Sequence, residues 1–513
     1  MIKQNNYFWI ITIFFIIVKL SCHLLTSCNY QLHRDEMFYF AMGSHLDFGY
    51  ITNAPLIGFL AFISKGVFGY SEFGLKIFPC LAGTASVLII ALLVKETGGK
   101  AFALFTACLV FVLSPAYLRS NSLFMPVSFD EFFWLLIFYL SVRMINKNNP
   151  KYWLVIGCIS GLAFLNKYSI LFLIAGLLTA ILLSQYKKLL VSKYLLIGTG
   201  IGLLIILPNA IWQYIHHWPV AFHMNELQKT QLVHVSLTSF LLGQILSNLP
   251  GLFVWLTGLA SLIFYQAFRK YRFIGITYIL ILLIFIITKG KDYYTLGLYQ
   301  ILFVFGSVFL EQYFIGKLLF VKYFVIITAI SVGIIILPAG LPVLNFKQLN
   351  NYCKIASNSF GITISRWEDG KIHKIPQDYA DMTGWEELAK IVSKAYNTLG
   401  SAEKKHCTIY AENYGLAGAI QFYGHKYGLP APISFHDSYI LWAPDTISND
   451  PFIYINSEVG DISKLFDSYP EIGHVQDENF RENGTLVLIC TQPKKIWQEF
   501  YAAKVKKLKS RFN

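Results

Sequence analysis

The chain has 513 residues, of which 55% are hydrophobic, 16% aromatic and 14% charged, with a mean hydropathy of +0.52. A soluble protein of this length does not carry so much apolar surface, so composition excludes a cytosolic globular enzyme and indicates a chain that crosses a membrane many times. The formal charge of +13 would suit nucleic acid, but a basic excess is also what cytoplasmic loops carry, and the second reading wins where the basic residues fall on one side.

Taken in order, apolar segments long enough to span lie at about 7–26, 75–94, 101–118, 130–146, 152–165, 168–184, 194–212, 239–267, 273–288, 294–311 and 319–339, about eleven spans. With the N-terminus inside, the cytoplasmic connections hold Lys95, Lys100, Arg143, Lys147, Lys151, Lys187, Lys188, Lys193, Arg269, Lys270, Arg272, Lys317 and Lys322, and the short outer turns are poorer in Lys and Arg. An odd span count then puts the C-terminal part outside. The first run is read as an uncleaved span, because Lys19 interrupts the approach to Cys22 and no small-x-small cleavage site follows.

Directly after that run comes His33-Arg34-Asp35-Glu36, followed by Gly49-Tyr50-Ile51-Thr52-Asn53-Ala54-Pro55-Leu56, a stretch too broken to span. Ionised groups at a bilayer boundary are costly and mark functional sites. A carboxylate there can have its pKa raised toward the working pH, so Asp35 is read as a general base. The plainer alternative is a solvated loop with an Arg/Glu pair.

Three further polar groups open to the same side under this topology. Ser128-Phe129-Asp130-Glu131 begins the fourth span, where acids in a first helical turn would simply complement the helix dipole. An Asp130 facing the first outer loop instead places two carboxylates around one cavity, one for the acceptor or a metal and one for a proton. Asn166-Lys167-Tyr168 interrupts two short apolar runs; Lys167 either snorkels to the interface or neutralises a lipid phosphate. Lys289-Gly290-Lys291-Asp292-Tyr293-Tyr294 lies between the ninth and tenth spans, as an interface belt or a seat for an anionic headgroup.

From about residue 340 the long apolar runs stop and charged residues rise. Thr383-Gly384-Trp385-Glu386 reads as a capping box opening a helix to about Thr398, and Cys407 to Glu412, Phe452 to Asn456 and Thr485 to Cys490 read as strands. The division expected is 1–339 for a transmembrane domain, with a first outer loop at 27–74, and 340–513 for a soluble α/β domain large enough for its own core. No Gly-rich phosphate loop is present, and the eight scattered cysteines show no metal spacing, Cys407 and Cys490 reading as buried free thiols.

These motifs carry a family resemblance. Arg34-Asp35-Glu36, Gly49-Tyr50, Ala54-Pro55-Leu56, Asp130 before an apolar span, Leu165-Asn166-Lys167 and Gly290-Lys291-Asp292-Tyr293-Tyr294 resemble the dolichyl-phosphate-mannose-protein mannosyltransferase-like family of GT-C glycosyltransferases, which includes the aminoarabinose transferases acting on lipid A. Pro376-Gln377-Asp378-Tyr379-Ala380-Asp381, Gly384-Trp385-Glu386-Glu387 and Ala411-Glu412-Asn413-Tyr414-Gly415 extend the likeness to a bacterial branch. The resemblance implies a multi-pass bacterial inner-membrane enzyme that moves a sugar from a polyprenyl-phosphate donor to a lipid, glycan or protein acceptor on the periplasmic face, where its C-terminal domain lies. It implies Asp35 as essential acid, Glu36 and Asp130 beside it for acceptor or metal, and Arg34, Lys167, Lys289 and Lys291 on the donor phosphate. Tyr50, Asn53, Pro55, Glu131, Tyr293 and Tyr294 would line the substrate pocket, and Glu412, His436 and Asp437 are candidates in the tail. A divalent metal ion is compatible with the acids, though no ligand spacing demands one. The chain departs from the pattern at Thr52-Asn53-Ala54-Pro55, where relatives carry an acid and a Pro-Pro pair, at Leu416, and at Ser434-Phe435-His436-Asp437-Ser438. The alternative from another class is a transporter or flippase of lipid-linked sugars, with the same acids relaying protons; it calls for an internal repeat, and none is visible.

Overall fold

The computed structural model describes residues 2–448 and 451–512. The chain forms two compact units: Met1–Thr26, Lys76–Ile211 and Phe222–Leu341 make one, and Ser27–Leu75, Trp212–Ala221 and Pro342–Asn513 the other. The first outer loop thus shares a compact unit with the C-terminal tail.

Each of the eleven apolar runs holds a helix, though the one at 101–118 breaks at Ser114 into Ala101–Leu113 and Pro115–Ser120. Among the described residues, six helices are long and apolar enough to cross a membrane: Asn6–Thr26, Glu72–Glu96, Lys193–Ile215, Gln266–Ile287, Asp292–Tyr313 and Leu319–Gly340. Pro126–Lys147 also has 22 residues but carries Asp130, Glu131 and Arg143. Ala101–Leu113, Tyr152–Asn166 and Ile170–Leu182 are apolar but shorter. The run expected as one span at 239–267 is instead two helices, Leu237–Ser247 and Leu249–Phe264, bent by 76°. The break falls at Asn248-Leu249-Pro250-Gly251, where proline supplies no amide hydrogen to the preceding turn and disfavours helical geometry in the residue before it.

Within the membrane unit, apolar neighbours give helices no hydrophobic reason to associate, and close backbone packing takes over. A Cβ on Gly157 would lie 2.0 Å from the Gly198 carbonyl oxygen, and one on Gly198 would lie 2.2 Å from that of Trp153. The helices Tyr152–Asn166 and Lys193–Ile215 therefore meet backbone to backbone, through glycines four residues apart on each, Gly157 and Gly161 against Gly198 and Gly202.

The tail is the expected α/β domain. Its strands are β1 (Thr408–Ala411), β2 (Phe452–Asn456), β3 (Phe466–Ser468), β4 (Glu471–His474) and β5 (Leu486–Pro493), ordered β1-β2-β5-β3 with β4 also on β5. β1 and β2 run parallel and the other pairs antiparallel. Tyr410, Phe452, Phe466, Leu488, Trp497 and Tyr501 form its core. The helix Trp385–Asn397 buries Trp385, Leu388, Ala389, Ile391, Val392 and Ala395, the stripe that a 3.6-residue period turns inward. It has no capping box of its own. Gly384 is the N-cap at φ +80°, the Thr383 hydroxyl donates to Asp477, and the amides of Trp385 and Glu386 donate to the Gln31 side-chain oxygen at 2.8 and 3.3 Å. The first outer loop thus supplies the cap that the tail helix lacks. All eight cysteines are free; Cys490 is buried and Cys407 only half-buried, because Cys407 lies just before β1 begins.

Candidate functional site

In the unit of loop and tail, the site starts from a short helix, Arg34–Met42. His33 is its extended N-cap: Nδ1 accepts the Asp35 amide at 3.2 Å, and Glu36 Oε2 accepts the His33 amide at 2.8 Å. This reciprocal arrangement satisfies donors that a helix start leaves open. Glu36, expected beside Asp35 in the chemistry, is fully buried and serves as this cap. Asp35 keeps 31% of its side chain exposed, with Oδ2 3.9 Å from His33 Nδ1. Its Oδ1 accepts the Tyr414 hydroxyl at 2.8 Å.

Arg34, expected on a donor phosphate, is already engaged. Its guanidinium lies 3.3 Å from Glu482 and 3.9 Å from Asp381, with its centre 4.8 Å from the middle of the Tyr414 ring. Burial works to strip its proton, but Tyr414, Glu482, Asp381 and Asp35 outweigh that and hold its pKa above the ordinary arginine value. Two carboxylates leave little of its charge for a ligand, so Arg34 braces the loop on the tail. Asp381 is buried, 3.0 Å from Arg481 and 3.7 Å from His33 Nε2. Burial pushes its carboxyl above the ordinary range, against the pull of His33, Arg481 and Arg34.

The second half of the loop is fastened to the same domain. Thr52 donates to Asp437 Oδ2 at 2.8 Å, the Ile51 amide donates to Ser438 Oγ at 3.1 Å, and Asn53 Nδ2 donates to Thr52 Oγ1 at 2.8 Å. Asp437 holds φ +53°, a left-handed conformation that Asp tolerates better than most residues, and its Oδ1 takes the Ser438 amide and hydroxyl. Its oxygens are committed to holding the loop. Tyr50, expected to line a pocket, is buried, its hydroxyl between the carbonyls of Met42 and His45 at 3.1 and 3.2 Å, closing the loop on itself. Pro55 is half-buried as the N-cap of the helix Leu56–Phe68. Glu412 and His436 are exposed. The chain at Ile433 bridges β1 in parallel. Glu412 and His436 therefore follow the carboxyl ends of neighbouring parallel segments, the edge where open α/β sheets bind ligands. The Tyr410 hydroxyl donates to Glu412 at 3.0 Å, and the His436 ring lies 5.1 Å from that of Tyr414.

The membrane unit brings together three of the expected groups. The helix Pro126–Lys147 starts early enough that Asp130 stands in its second turn, so Asp130 is not the first-turn residue expected to complement the dipole. It is buried, and its oxygens accept the Trp134 indole at 3.0 Å and the Ser169 hydroxyl at 2.8 Å. Lys167, extended where the helix Tyr152–Asn166 stops, puts its ammonium 4.0 Å from Asp130 Oδ2. The same ammonium lies 5.3 and 5.1 Å from the ring centres of Tyr293 and Tyr294. Glu131, expected at the pocket, is buried and accepts the Ser120 hydroxyl at 2.9 Å. Lys289 is exposed, at φ +53°, with Nζ 3.5 Å from the Val233 carbonyl, and Lys291 is half-buried, within electrostatic reach of Lys167. Among the described residues, no group of three or more His, Cys, Asp or Glu side chains is arranged to hold a metal ion.

Sequence reasoning quoted Tyr414 and Asp381 within motifs but gave neither a place at the site, and it missed Trp134 and Ser169. Trp134 follows Asp130 by one helical turn and was visible in principle. Tyr414 and Asp381 reach the first loop only through the tertiary fold.

The family model described as dolichyl-phosphate-mannose-protein mannosyltransferase matches residues 52–212. The lipid A galacturonosyltransferase RgtD of Rhizobium johnstonii is 24% identical over 200 residues, 38% of this chain and 41% of that protein; the match thus spans less than half of the relative. ArnT from Cupriavidus metallidurans, solved bound to undecaprenyl phosphate, superposes with a TM-score of 0.67 at 13% identity, over 94% of this chain and 98% of that one. The oligosaccharyltransferase AglB from Archaeoglobus fulgidus, in complex with an inhibitory peptide and a dolichol-phosphate, gives 0.51 at 12% identity, over 98% and 78%.

Proposed function

Because the chain has the fold of the GT-C glycosyltransferases, we propose that it transfers a sugar from a polyprenyl-phosphate donor to an acceptor of the cell envelope, with Asp35 as the general base. The observation that carries this reading is the division of labour inside one acidic pair. Glu36 is buried as a helix cap, while Asp35 stands partly open to solvent with one oxygen held by Tyr414.

The step balances simply. Asp35 takes the proton of an acceptor hydroxyl or amine as its heteroatom bonds the anomeric carbon, and the bond from that carbon to the phosphate oxygen breaks with its electron pair. The leaving polyprenyl phosphate gains charge, which an ammonium stabilises. Asp35 is the candidate for the first task, and Lys167, Lys289 and Lys291 are the candidates for the second. A lipid-borne donor agrees with the lack of a nucleotide loop and with the polyprenyl phosphates named in the ArnT and AglB structures. Glu412 and His436, exposed at the carboxyl edge of the sheet, form the acceptor side. The name of the galacturonosyltransferase relative favours lipid A or another envelope glycan as that acceptor. In this reading the enzyme sits in a bacterial inner membrane with its α/β domain in the periplasm.

The test is sugar release from a polyprenyl-phosphate-sugar by purified wild type and Asp35→Asn. A loss of about 10²- to 10⁴-fold is expected on removal of a general base. Equal turnover in the two proteins overturns the assignment and returns the acids to a transport role.

A further inference from the structure

In the unit of loop and tail, two helices far apart in the sequence pack closely at two glycines. A Cβ on Gly418 would lie 2.9 Å from Met37 Cβ and 3.3 Å from the Phe38 amide nitrogen, and one on Gly415 would lie 3.2 Å from Arg34 Nε. Glycine at these two positions lets the helix Tyr414–Tyr423 lie directly on the helix Arg34–Met42. Asn413 fixes where the tail helix starts, its Oδ1 accepting the amides of Gly415 and Leu416 at 2.9 and 3.1 Å. Tyr414 is therefore the first residue of a helix whose start and seating are both set, and its hydroxyl meets Asp35 Oδ1 at 2.8 Å. Its ring is gripped by Phe38, centroid to centroid 4.9 Å, and by the Arg34 guanidinium.

We infer that Tyr414 is a positioning residue for the transfer: its hydroxyl holds one oxygen of Asp35 so that the other faces the acceptor, and the C-terminal domain thereby enters the chemistry. This rests on the reading of Asp35 as the base. A half-buried aspartate without this bond would be freer to turn about Cβ–Cγ, and a base that must meet one hydroxyl at hydrogen-bond range loses rate with each wrong rotamer. A phenol suits the task because it donates one hydrogen from a rigid ring. Burial and the charge of Asp35 push the Tyr414 ionisation well above its ordinary range, so the donor stays protonated at any working pH.

The experiment measures turnover of a polyprenyl-phosphate-sugar by the purified full-length protein in five forms: wild type, Asp35→Asn, Tyr414→Phe, Gly418→Ala and Gly66→Ala. Tyr414→Phe keeps the ring and removes the hydroxyl; kcat is expected to fall about 10- to 100-fold, the worth of a hydrogen bond to a charged group. Donor KM and the thermal midpoint are expected to stay at the wild-type values. Gly418→Ala changes no site side chain but forces the helices apart, drawing Tyr414 away from Asp35, and should lower kcat in the same way. Gly66→Ala, on a helix face with nothing within 4 Å, is the control and should retain full rate. Wild-type kcat in Tyr414→Phe overturns the inference. So does a fall in kcat that tracks a lowered thermal midpoint, or that is matched by a rise in donor KM. If Asp35→Asn is inactive while Tyr414→Phe is fully active, only this inference fails; if Asp35→Asn is itself active, the proposed function fails first.

Discussion

The two units keep their charged groups in different ways. In the membrane unit, Asp130 is satisfied by neutral donors, Trp134 and Ser169, and Lys167 has tyrosine faces and one carboxylate at 4.0 Å. In the unit of loop and tail, Arg34 and Arg481 stand among Asp381, Glu482 and Asp35, with His33 between two of the acids. Around Asp130 the charges are few and dipoles help to hold them, as the cost of charge near hydrocarbon demands; around Arg34 they are several and cancel one another. On the proposed function, the difference favours Lys167 over Arg34 as the cation for an anionic donor. Arg34 is neutralised by its neighbours, whereas Lys167 is only partly so.

Substitutions can break or sharpen this contrast. The largest effect expected is the loss of turnover in Asp35→Asn, with donor affinity kept, because that residue belongs to the unit of the base. Next comes Lys167→Met, expected to raise donor KM roughly 10- to 100-fold, as for a lost charge-assisted hydrogen bond. The readout is the split between KM and kcat; a fall in kcat at unchanged KM would reverse the roles given to the two units.

A smaller effect concerns pH. Burial leaves the Asp381 carboxyl above its ordinary value near 3.8, so the folded chain binds that proton more tightly than the unfolded chain. Its contribution to stability is therefore greatest below that value, falls as pH rises toward the raised folded value, and is flat beyond. Asp381→Asn should remove this slope from the thermal midpoint measured across the acid range, and an unchanged slope would refute it. The smallest effect is that of Gln31→Ala, which uncaps the helix Trp385–Asn397 at a cost of about 1 kcal/mol with turnover intact. Thermal unfolding at neutral pH reads it directly.

Much of this was legible from residues alone, for physical reasons that differ by region. Membrane helices announce themselves because a lipid core demands continuous apolar length, and every expected run holds a helix. The bend at Pro250 was hidden because hydropathy is blind to backbone geometry. β2 matches its expected bounds, since a run of Phe, Ile and Tyr between turns has few alternatives, while the short β3 and β4 carry too little pattern to be seen. The grouping of Asp130 and Lys167 with Tyr293 and Tyr294 was readable because each interrupts an apolar run. What composition cannot reveal is pairing across the chain. Tyr414 and Asp35 are 379 positions apart, and Gln31 caps a helix 354 positions away. For the same reason the double duty of Glu36, acid in type and cap in use, emerged only with coordinates.

The glycine crossing of Tyr152–Asn166 on Lys193–Ile215 bears on the proposed donor. Lys167 follows directly on the first of these helices, and so close a crossing leaves little room for one to travel along the other. On the proposed function its ammonium would be offered at a set depth, and a donor whose phosphate rides higher or lower would have to shift its own lipid tail to be met. The crossing would then act as a ruler for the anchor.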